Sequence, residues 1–160
     1  MIRHIVAFDS KQGIAKGGIQ PWYIPDDEAF FQSETKKYGG KVLMGARTFD
    51  AIKHPLKERE NFILTHDSTL IPGAVVVNDL QQFLAELQGD LWIIGGGEIF
   101  AQTLNIAGEL YITKIEADFR CDRFYPEYEN KFTLARRSEP KVQNGFRYTY
   151  EIYTPKAPGN

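Results

Sequence analysis

Eight short apolar runs, rich in β-branched and aromatic residues, most constrain the fold of this chain because helical patterns separate several of them. Each run predicts a strand, and the runs cover residues 2–8, 41–44, 62–65, 74–77, 91–94, 110–115, 132–136 and 147–153. The helical patterns cover residues 26–38, 47–52, 79–87 and 98–104. Because parallel strands need crossover connections, this alternation predicts an α/β fold with a mainly parallel central sheet and helices on both faces.

The end of the chain predicts a different arrangement. Asn144-Gly145 separates the last two strand patterns and is a hairpin turn signal, so we expect an antiparallel hairpin at the edge of the sheet. The residues after the last strand pattern show no apolar periodicity. For a chain of 160 residues, we expect one domain over residues 1–154 and a disordered tail over residues 155–160.

Composition and charge favour a small molecule as the partner. The formal net charge is -2 and no dense Lys/Arg run occurs, which argues against nucleic acid or an anionic membrane. Cys121 is the only cysteine, which excludes an internal disulfide and a cysteine-based zinc site, and the three histidines lack metal-site spacing. The apolar run over residues 2–8 is too short for a signal peptide or a membrane span. We expect a cytoplasmic protein without a metal, and a monomer because no long apolar stripe is left unassigned.

The helical pattern that begins near Pro25 places acids beside apolar surface. Pro25 suits the first turn of a helix, and Asp26 and Asp27 follow where the positive helix end favours carboxylates. Helical spacing puts Asp27 on the face of Phe31 and Thr35, and apolar surroundings raise the pKa of a carboxyl group. Acids in a first helical turn are common and usually act only through the helix dipole, so this pattern alone does not establish chemistry at Asp27.

The glycine-rich residues 13–20, which precede Asp27, strengthen the case for chemistry at that residue. They carry few anchoring groups and lead directly into Pro21 and Trp22, so the segment predicts a mobile flap beside Asp27. Catalytic residues are often found where such a loop meets a rigid element. The surroundings of Asp27 are therefore the strongest candidate for catalysis in the sequence.

Two strand patterns each end in a glycine turn that leads into a helical pattern. The turns are Met44-Gly45-Ala46-Arg47-Thr48 and Ile94-Gly95-Gly96-Gly97-Glu98. Each aims a helix N-terminus with unpaired N–H groups at the strand ends, so the two together could hold a pyrophosphate. Neither turn is a GxGxxG fingerprint, since Phe100 stands where the last glycine would be, and neither is a P-loop. Tight connections that need glycine for their backbone geometry explain either turn alone at least as well.

Three polar residues near the third strand pattern are weaker candidates. Thr65 and His66 follow that strand, where open α/β sheets bind ligands, and could contact a ribose phosphate. Arg59 precedes it and could form a fork to a carboxylate ligand. Each is equally well explained as an ordinary surface residue.

Taken in this order and spacing, the motifs resemble dihydrofolate reductase. The resemblance rests on Pro21-Trp22, Asp27 with Phe31, Met44-Gly45-x-x-Thr48, Leu56-x-x-Arg59, Ile94-Gly95-Gly96-Gly97 and Tyr111-Ile112-Thr113, and it spans almost the whole chain. The length fits the bacterial chromosomal form of the family. The resemblance implies an eight-stranded, mainly parallel sheet in a single domain. It also implies NADPH-dependent hydride transfer that reduces 7,8-dihydrofolate to 5,6,7,8-tetrahydrofolate for one-carbon metabolism, with antifolate inhibitors as further ligands.

The resemblance also implies roles for individual residues. Asp27 would orient the pterin and favour its protonation, Trp22 would shape the access of water, and Thr113 would hold Asp27. The implied substrate-binding residues are Ile5, Asp27, Phe31, Ile52, Leu56, Arg59, Ile94 and Thr113, of which Arg59 would pair with the glutamate tail. The implied cofactor-binding residues are Ala7, Ile14, Ala15, Gly45, Arg47, Thr48, Thr65, His66, Ile94, Gly95, Gly96, Gly97, Glu98, Ile99 and Phe100.

Four positions depart from the family pattern. Ala46 replaces an arginine that commonly contacts the 2′-phosphate of the cofactor, which leaves Thr65 and His66 as candidates for that contact. Glu28 adds a second acid beside the substrate opening. Phe100 and Cys121 stand where many members have tyrosine and glycine.

Two other functions fit parts of the sequence. A reductase of the same architecture, which reduces the ribosyl group of a riboflavin precursor with NADPH, would share the glycine turns. It would need neither the acid at Asp27 nor Trp22 nor Arg59. A non-catalytic module that binds a nucleotide or a folate-like ligand would bind cofactor without turnover.

Overall fold

The computed structural model describes residues 1–67 and 69–157 of the chain. The strands are β1 (Ile2–Phe8), β2 (Gly13–Ala15), β3 (Lys41–Gly45), β4 (Glu60–Leu64), β5 (Ala74–Val77), β6 (Leu91–Gly95), β7 (Ala107–Ile115), β8 (Arg123–Phe124), β9 (Phe132–Arg137), β10 (Lys141–Gln143) and β11 (Phe146–Pro155). The helices are α1 (Pro25–Glu34), α2 (Ala46–Ile52), α3 (Leu80–Glu86) and α4 (Gly97–Thr103), and a 3-10 turn at Leu104–Ile106 follows α4. Every predicted strand and helix has a counterpart among these elements.

One mixed sheet carries the strands in the order β10-β11-β7-β1-β6-β3-β4-β5. The neighbours from β7 to β5 pair in parallel, whereas β11 runs antiparallel to β7. β9 pairs with residues 151–155 of β11 and β10 with residues 146–148, both on the edge opposite β7. Because β9 and β10 share one position, the sheet has eight positions and is mainly parallel, which confirms the predicted fold class.

Side chains of the central strands alternate between two covered faces. Leu43 of β3 packs in the cluster that holds Phe100 of α4. Met44, the next residue, packs in a second cluster with Phe31 of α1 and Ile52 of α2. Successive side chains of a strand point to opposite faces, so a strand buried on both sides needs a continuous apolar run. Helices therefore cover both faces of the sheet, as predicted.

The C-terminal hairpin forms at the predicted turn. Gln143 pairs with Phe146, and the two residues between them have left-handed backbone, with φ of 54° at Asn144 and 83° at Gly145. Two consecutive positive φ values are typical of the two-residue hairpin turns that favour Asn-Gly. β11 continues to Pro155, one residue into the segment expected as a tail, while residues 158–160 lie outside the described residues.

Helix α1 is shorter than predicted. It ends at Glu34 rather than at Tyr38. The buried Thr35 hydroxyl donates to the carbonyl of Phe31 at 2.7 Å, and the chain then turns through left-handed backbone at Tyr38 and Gly39. This turn ends the helix and directs the chain towards β3.

The glycine-rich flap is anchored more firmly than its sequence predicted. Residues 13–15 form β2, which pairs with β8 in a separate two-stranded sheet. Asp9 Oδ1 accepts a hydrogen bond from the N–H of Gly13 at 2.8 Å, and Asp122 Oδ2 accepts one from the N–H of Gly17 at 3.0 Å. The segment itself carries few anchoring side chains, as its sequence indicated, and the anchors Asp9 and Asp122 lie outside it.

Candidate active site

A cleft of about 1960 Å³ opens along the carboxyl ends of the parallel strands. A pocket for one small ligand usually measures about 300 to 1,000 Å³, so this cleft has room for two ligands side by side. Its lining includes the predicted site residues Ile5, Ala7, Ile14, Ala15, Asp27, Phe31, Gly45, Arg47, Thr48, Ile52, Leu56, Thr65, His66, Ile94, Gly95, Gly96, Gly97, Glu98, Ile99, Phe100 and Thr113. The fold thus brings together nearly all of the residues singled out from the sequence.

Asp27 lies in the first turn of α1 and faces the cleft. The hydroxyl of Thr113, on β7, donates to Asp27 Oδ1 at 2.7 Å. Burial raises the pKa of Asp27 to about 6; the bond from Thr113 opposes this rise, and the negative charge of Glu28 adds to it. The Asp27 carboxyl therefore changes its charge close to neutral pH, as the sequence pattern indicated.

Trp22 lies behind the cleft and does not line it. Its side chain is buried, and its ring centroid lies 5.2 Å from that of Phe119. Among the described residues, the buried Nε1 of Trp22 has no hydrogen-bond partner. A buried N–H group without a protein partner is uncommon and costly, which sets this group apart within the described residues.

The two glycine turns lie side by side at the centre of the cleft. A Cβ added at Gly45 would lie 3.9 Å from the carbonyl oxygen of Gly95 and from the nitrogen of Gly96. A Cβ added at Gly97 would lie 2.9 Å from the carbonyl oxygen of Phe124, so the approach of β8 leaves room only for glycine there. The Gly95-Gly96 peptide is cis. Helices α2 and α4 begin at these turns, so the unpaired N–H groups of two helix starts lie at the lining of the cleft.

The half of the cleft beyond the glycine turns carries charges of both signs. Arg47 contributes a guanidinium and His66 an imidazole, while Asp79 and Glu98 contribute carboxylates. Asn78 lines the same half and donates from Nδ2 to the carbonyl of Thr65 at 2.8 Å. Arg47 makes no hydrogen bond or ion pair within residues 1–67 and 69–157 and is available to a ligand.

Arg59 stands behind the wall of the cleft. Its Nη2 donates to Gln32 Oε1 at 2.6 Å, its Nη1 to Thr35 Oγ1 at 2.8 Å, and its Nε to the carbonyl of Lys57 at 2.8 Å. Gln32, not Arg59, lines the cleft. The guanidinium of Arg59 therefore contacts the cleft lining through its hydrogen bond to Gln32.

Sequence reasoning missed several residues of the lining. Asn78 and Asp79 follow β5 as Thr65 and His66 follow β4, so their place after a parallel strand was the signal that could have found them. Gln32 lies one helical turn after Glu28, which was considered. Asp122 and Arg123 enter the lining through the pairing of β2 with β8, which no local pattern indicated.

The described residues contain neither a helix that could cross a membrane nor a cluster of side chains that could hold a metal ion. No helix in the ranges 1–67 and 69–157 is long and apolar enough to cross a membrane. Within the same ranges, no group of three or more His, Cys, Asp or Glu side chains is placed to hold a metal ion.

Room for two ligands, adjoining glycine turns and a carboxyl that titrates near neutrality define a class of α/β enzyme that binds a dinucleotide beside a small substrate. Comparison with known proteins gives the family. The family model described as dihydrofolate reductase matches residues 1–155, and the chain belongs to the dihydrofolate reductase family.

Curated relatives and a solved structure agree with this assignment. Dihydrofolate reductase of Bacillus subtilis (strain 168) is 31% identical over 162 residues, covering 98% of this chain and 95% of that protein. The Haemophilus influenzae enzyme is 32% identical over 160 residues, covering 95% of this chain and 97% of that protein. A structure of Enterococcus faecalis dihydrofolate reductase complexed with NADP(H) and RAB-propyl has a TM-score of 0.87 at 27% identity. It covers 98% of this chain and 97% of that chain.

Proposed function

We propose that the protein reduces 7,8-dihydrofolate to 5,6,7,8-tetrahydrofolate with NADPH. The observation that carries this proposal is Asp27, held by Thr113 in a cleft large enough for substrate and cofactor together, in a chain of this family. The comparisons do not favour the riboflavin-type reductase or a non-catalytic module. The reaction adds a hydride to one carbon of the pterin and a proton to the neighbouring nitrogen.

The central and far parts of the cleft fit NADPH. Gly45, Gly96 and Gly97 leave the two helix starts open to its pyrophosphate, and Arg47, Thr65 and His66 would hold the adenosine end. Ala7, Ile14, Ala15, Gly95, Ile99 and Phe100 line the cleft and would enclose the nicotinamide end, with Thr48 and Glu98 beside the turns. When bound, NADPH supplies the hydride. The protein contributes by placing the two rings in contact and by excluding water around them.

Asp27 supplies the polar recognition of the pterin and assists its protonation. A carboxyl with a pKa of about 6 is about one-tenth protonated at pH 7, far more than an ordinary aspartic acid, which favours proton delivery to the ring. Thr113 fixes the carboxyl by its hydroxyl. In the pose that the family resemblance implies, the accepting nitrogen would lie away from this carboxyl, and the proton would reach it through water whose access the Trp22 loop shapes.

Apolar side chains hold the rest of the substrate. Ile5, Phe31, Ile52, Leu56 and Ile94 line the substrate half and supply walls for the pterin and aminobenzoyl groups. Arg59, behind Gln32, supplies positive charge towards the glutamate tail.

The cellular setting is part of the same proposal. We place the enzyme in the cytoplasm as a monomer, supplying tetrahydrofolate to one-carbon metabolism, with antifolates as competitors of the substrate. The single cysteine and a net charge of -2 support a reducing compartment and a small-molecule role.

The test follows the loss of reduced nicotinamide absorbance in mixtures of protein, dihydrofolate and either NADPH or NADH. Asp27→Asn is the control, because it keeps the shape of the side chain and cannot exchange a proton near neutrality. We expect turnover with NADPH that falls by at least a hundredfold in the variant, while NADPH still binds. Folded wild-type protein that binds NADPH but turns over neither mixture contradicts the proposal.

A further inference from the structure

Phe100, on α4, packs between two buried rings that take no part in the ligand contacts described above. Its ring centroid lies 5.0 Å from that of His4 on β1 and 5.1 Å from that of Tyr125, directly after β8. All three side chains are buried. Phe100 belongs to the lining of the cleft, whereas His4 and Tyr125 lie outside the described lining. Two polar rings therefore back the cleft wall at Phe100.

Hydrogen bonds hold the two backing rings in place. The ring nitrogens of His4 each lie 2.7 Å from a hydroxyl oxygen, one of Tyr125 and the other of Thr103 at the end of α4. The N–H of Tyr125 donates to the carbonyl of Gln12 at 2.9 Å, just before β2. A neutral imidazole has one donor and one acceptor, so a single side chain completes both hydroxyl contacts in a buried place. An apolar residue in place of His4 would leave the Tyr125 hydroxyl without this partner, which is costly.

Phe100 in turn contacts the second glycine turn. A Cβ added at Gly95 would lie 3.6 Å from Phe100 Cε2, so the edge of the ring packs close to that glycine. The N–H of Phe100 donates to the carbonyl of Gly96 at 3.1 Å. Because close-packed interiors transmit small displacements, a shift of the Phe100 ring would also move the backbone of this turn.

We propose that His4 is a positioning residue for the nicotinamide ring: with Tyr125 it holds Phe100, and so fixes the wall and the glycine turn against which that ring lies. The inference rests on the proposed reduction with NADPH, in which Phe100 and Gly95 enclose the nicotinamide end. His4 acts through Phe100 and touches neither ligand. The adenosine half of the cofactor, near Arg47, lies beyond the glycine turns and does not depend on His4.

His4→Leu tests this role by binding alone, since leucine has a similar size and removes both hydrogen bonds. Titration calorimetry gives the Kd of NADPH and the Kd of adenosine 2′,5′-bisphosphate, which carries the adenosine half of the cofactor without the nicotinamide. We expect the Kd of NADPH to rise about fivefold, as is usual for residues that act through packed neighbours. The Kd of the bisphosphate should stay within about twofold of wild type.

Hydride transfer gives a second readout. In single turnovers with both ligands saturating, the transfer rate of His4→Leu should fall about tenfold, because small misplacements of a reacting group are costly. Wild-type protein that binds NADPH but transfers no hydride contradicts the proposed function, and the two Kd values still decide the role of His4. An equal weakening of NADPH and bisphosphate binding overturns that role, since it indicates a general disturbance.

Tyr125→Phe and Tyr153→Phe form a matched pair. Tyr125→Phe keeps the ring beside Phe100 and removes only the hydroxyl that meets His4, so the Kd of NADPH should rise about threefold. It decides the proposal alone if His4→Leu does not fold. Tyr153 is also buried, and its hydroxyl accepts from Lys114 Nζ at 2.9 Å, outside the described cleft lining. Tyr153→Phe should keep the wild-type Kd. A change below twofold in Tyr125→Phe, or an equal change in Tyr153→Phe, overturns the proposal.

Discussion

Gln143, in the C-terminal hairpin, accepts a hydrogen bond from the backbone N–H of Asp26 at 2.6 Å. Helix α1 has no capping side chain of its own, because Ile24 occupies the position before its first turn. In the next residue of the hairpin, Asn144 Nδ2 donates to the carbonyl of Tyr23 at 2.8 Å. A distant hairpin therefore secures the start of the helix that carries Asp27.

Loss of this cap should reduce both stability and activity. For Gln143→Ala we expect the free energy of unfolding to fall by about 1 kcal/mol, the usual effect of a lost N-terminal cap. We expect kcat/KM for dihydrofolate to fall several-fold, because Asp27 follows the capped residue. Urea denaturation and initial rates measure the two effects. Gln143→Glu keeps an acceptor oxygen and should retain wild-type values; an equal loss in both variants would assign the effect to packing.

The acidity of Asp27 should govern the pH dependence of turnover. Its pKa of about 6 means that the carboxyl is mostly protonated below that pH and mostly ionised above it. Since the reaction consumes a proton, kcat/KM should fall as pH rises through about 6, approaching tenfold per pH unit. A pH profile of initial rates measures this fall in kcat/KM. Asp27→Asn should abolish the pH dependence together with most of the activity. If Asp27→Asn keeps the wild-type pH dependence of kcat/KM, the titration belongs to another group.

A buried histidine on β1 links the sheet to α4 and to the segment before β9. His4 Nδ1 lies 2.7 Å from the Tyr125 hydroxyl, and His4 Nε2 lies 2.7 Å from Thr103 Oγ1. The Thr103 hydroxyl donates its only proton to the carbonyl of Ile99 at 2.7 Å, so it accepts a hydrogen bond from His4 Nε2–H. Tyr125 then donates to Nδ1. This network holds His4 in one neutral tautomer.

The protein should lose stability in acid through His4. Burial lowers the pKa of His4 from 6.5 to about 3, so the unfolded chain binds this proton first as pH falls. The network's contribution to the free energy of unfolding is complete above pH 6.5. It is lost as pH falls from 6.5 to 3, by about 1.4 kcal/mol per pH unit. Denaturation measures the free energy of unfolding at pH 7 and at pH 4.5. The difference between these two values should therefore be smaller for His4→Leu than for wild type. His54→Gln, at an exposed position, is the control; identical differences in all three proteins would contradict the assignment.

The contrast between His4 and Met44 shows what the sequence could predict. Met44 lies in an unbroken apolar run, and runs of this kind predicted the buried strands and the helices between them. His4 interrupts such a run, and its partners Thr103 and Tyr125 come from distant segments, so no local pattern indicated the network. β2 and β8 were missed for the same reason, because three- and two-residue strands carry no periodicity.

Asp27 and Gln32 mark the same limit within the site. The acid was found from its place at a helix start, and its contact with Thr113, 86 residues away in the chain, was implied by the family resemblance. The position of Arg59 behind Gln32 was not predicted, because it depends on how the end of α1 meets the approach to β4. Packing between elements decides which side chain lies in front of another at the wall of a cleft. The spacing of residues along one element does not contain this information.

Arg47 should set the preference for NADPH over NADH. Arg47 and Arg123 are the two arginines in the described lining of the cleft, and Arg47 is the one that follows the first glycine turn, whereas Asp79 and Glu98 in the same lining disfavour an added phosphate. We expect Arg47→Gln to lower the ratio of kcat/KM with NADPH to kcat/KM with NADH by about tenfold, the loss of one charge-assisted contact. Fluorescence titration with NADP⁺ and NAD⁺ should show the same change as a ratio of Kd values. Arg123→Gln, in the lining beside the flap, provides a control that removes the same charge and should keep the wild-type ratio. An unchanged ratio in Arg47→Gln would transfer the reading of the 2′-phosphate to Thr65 and His66, which stay in place in both variants.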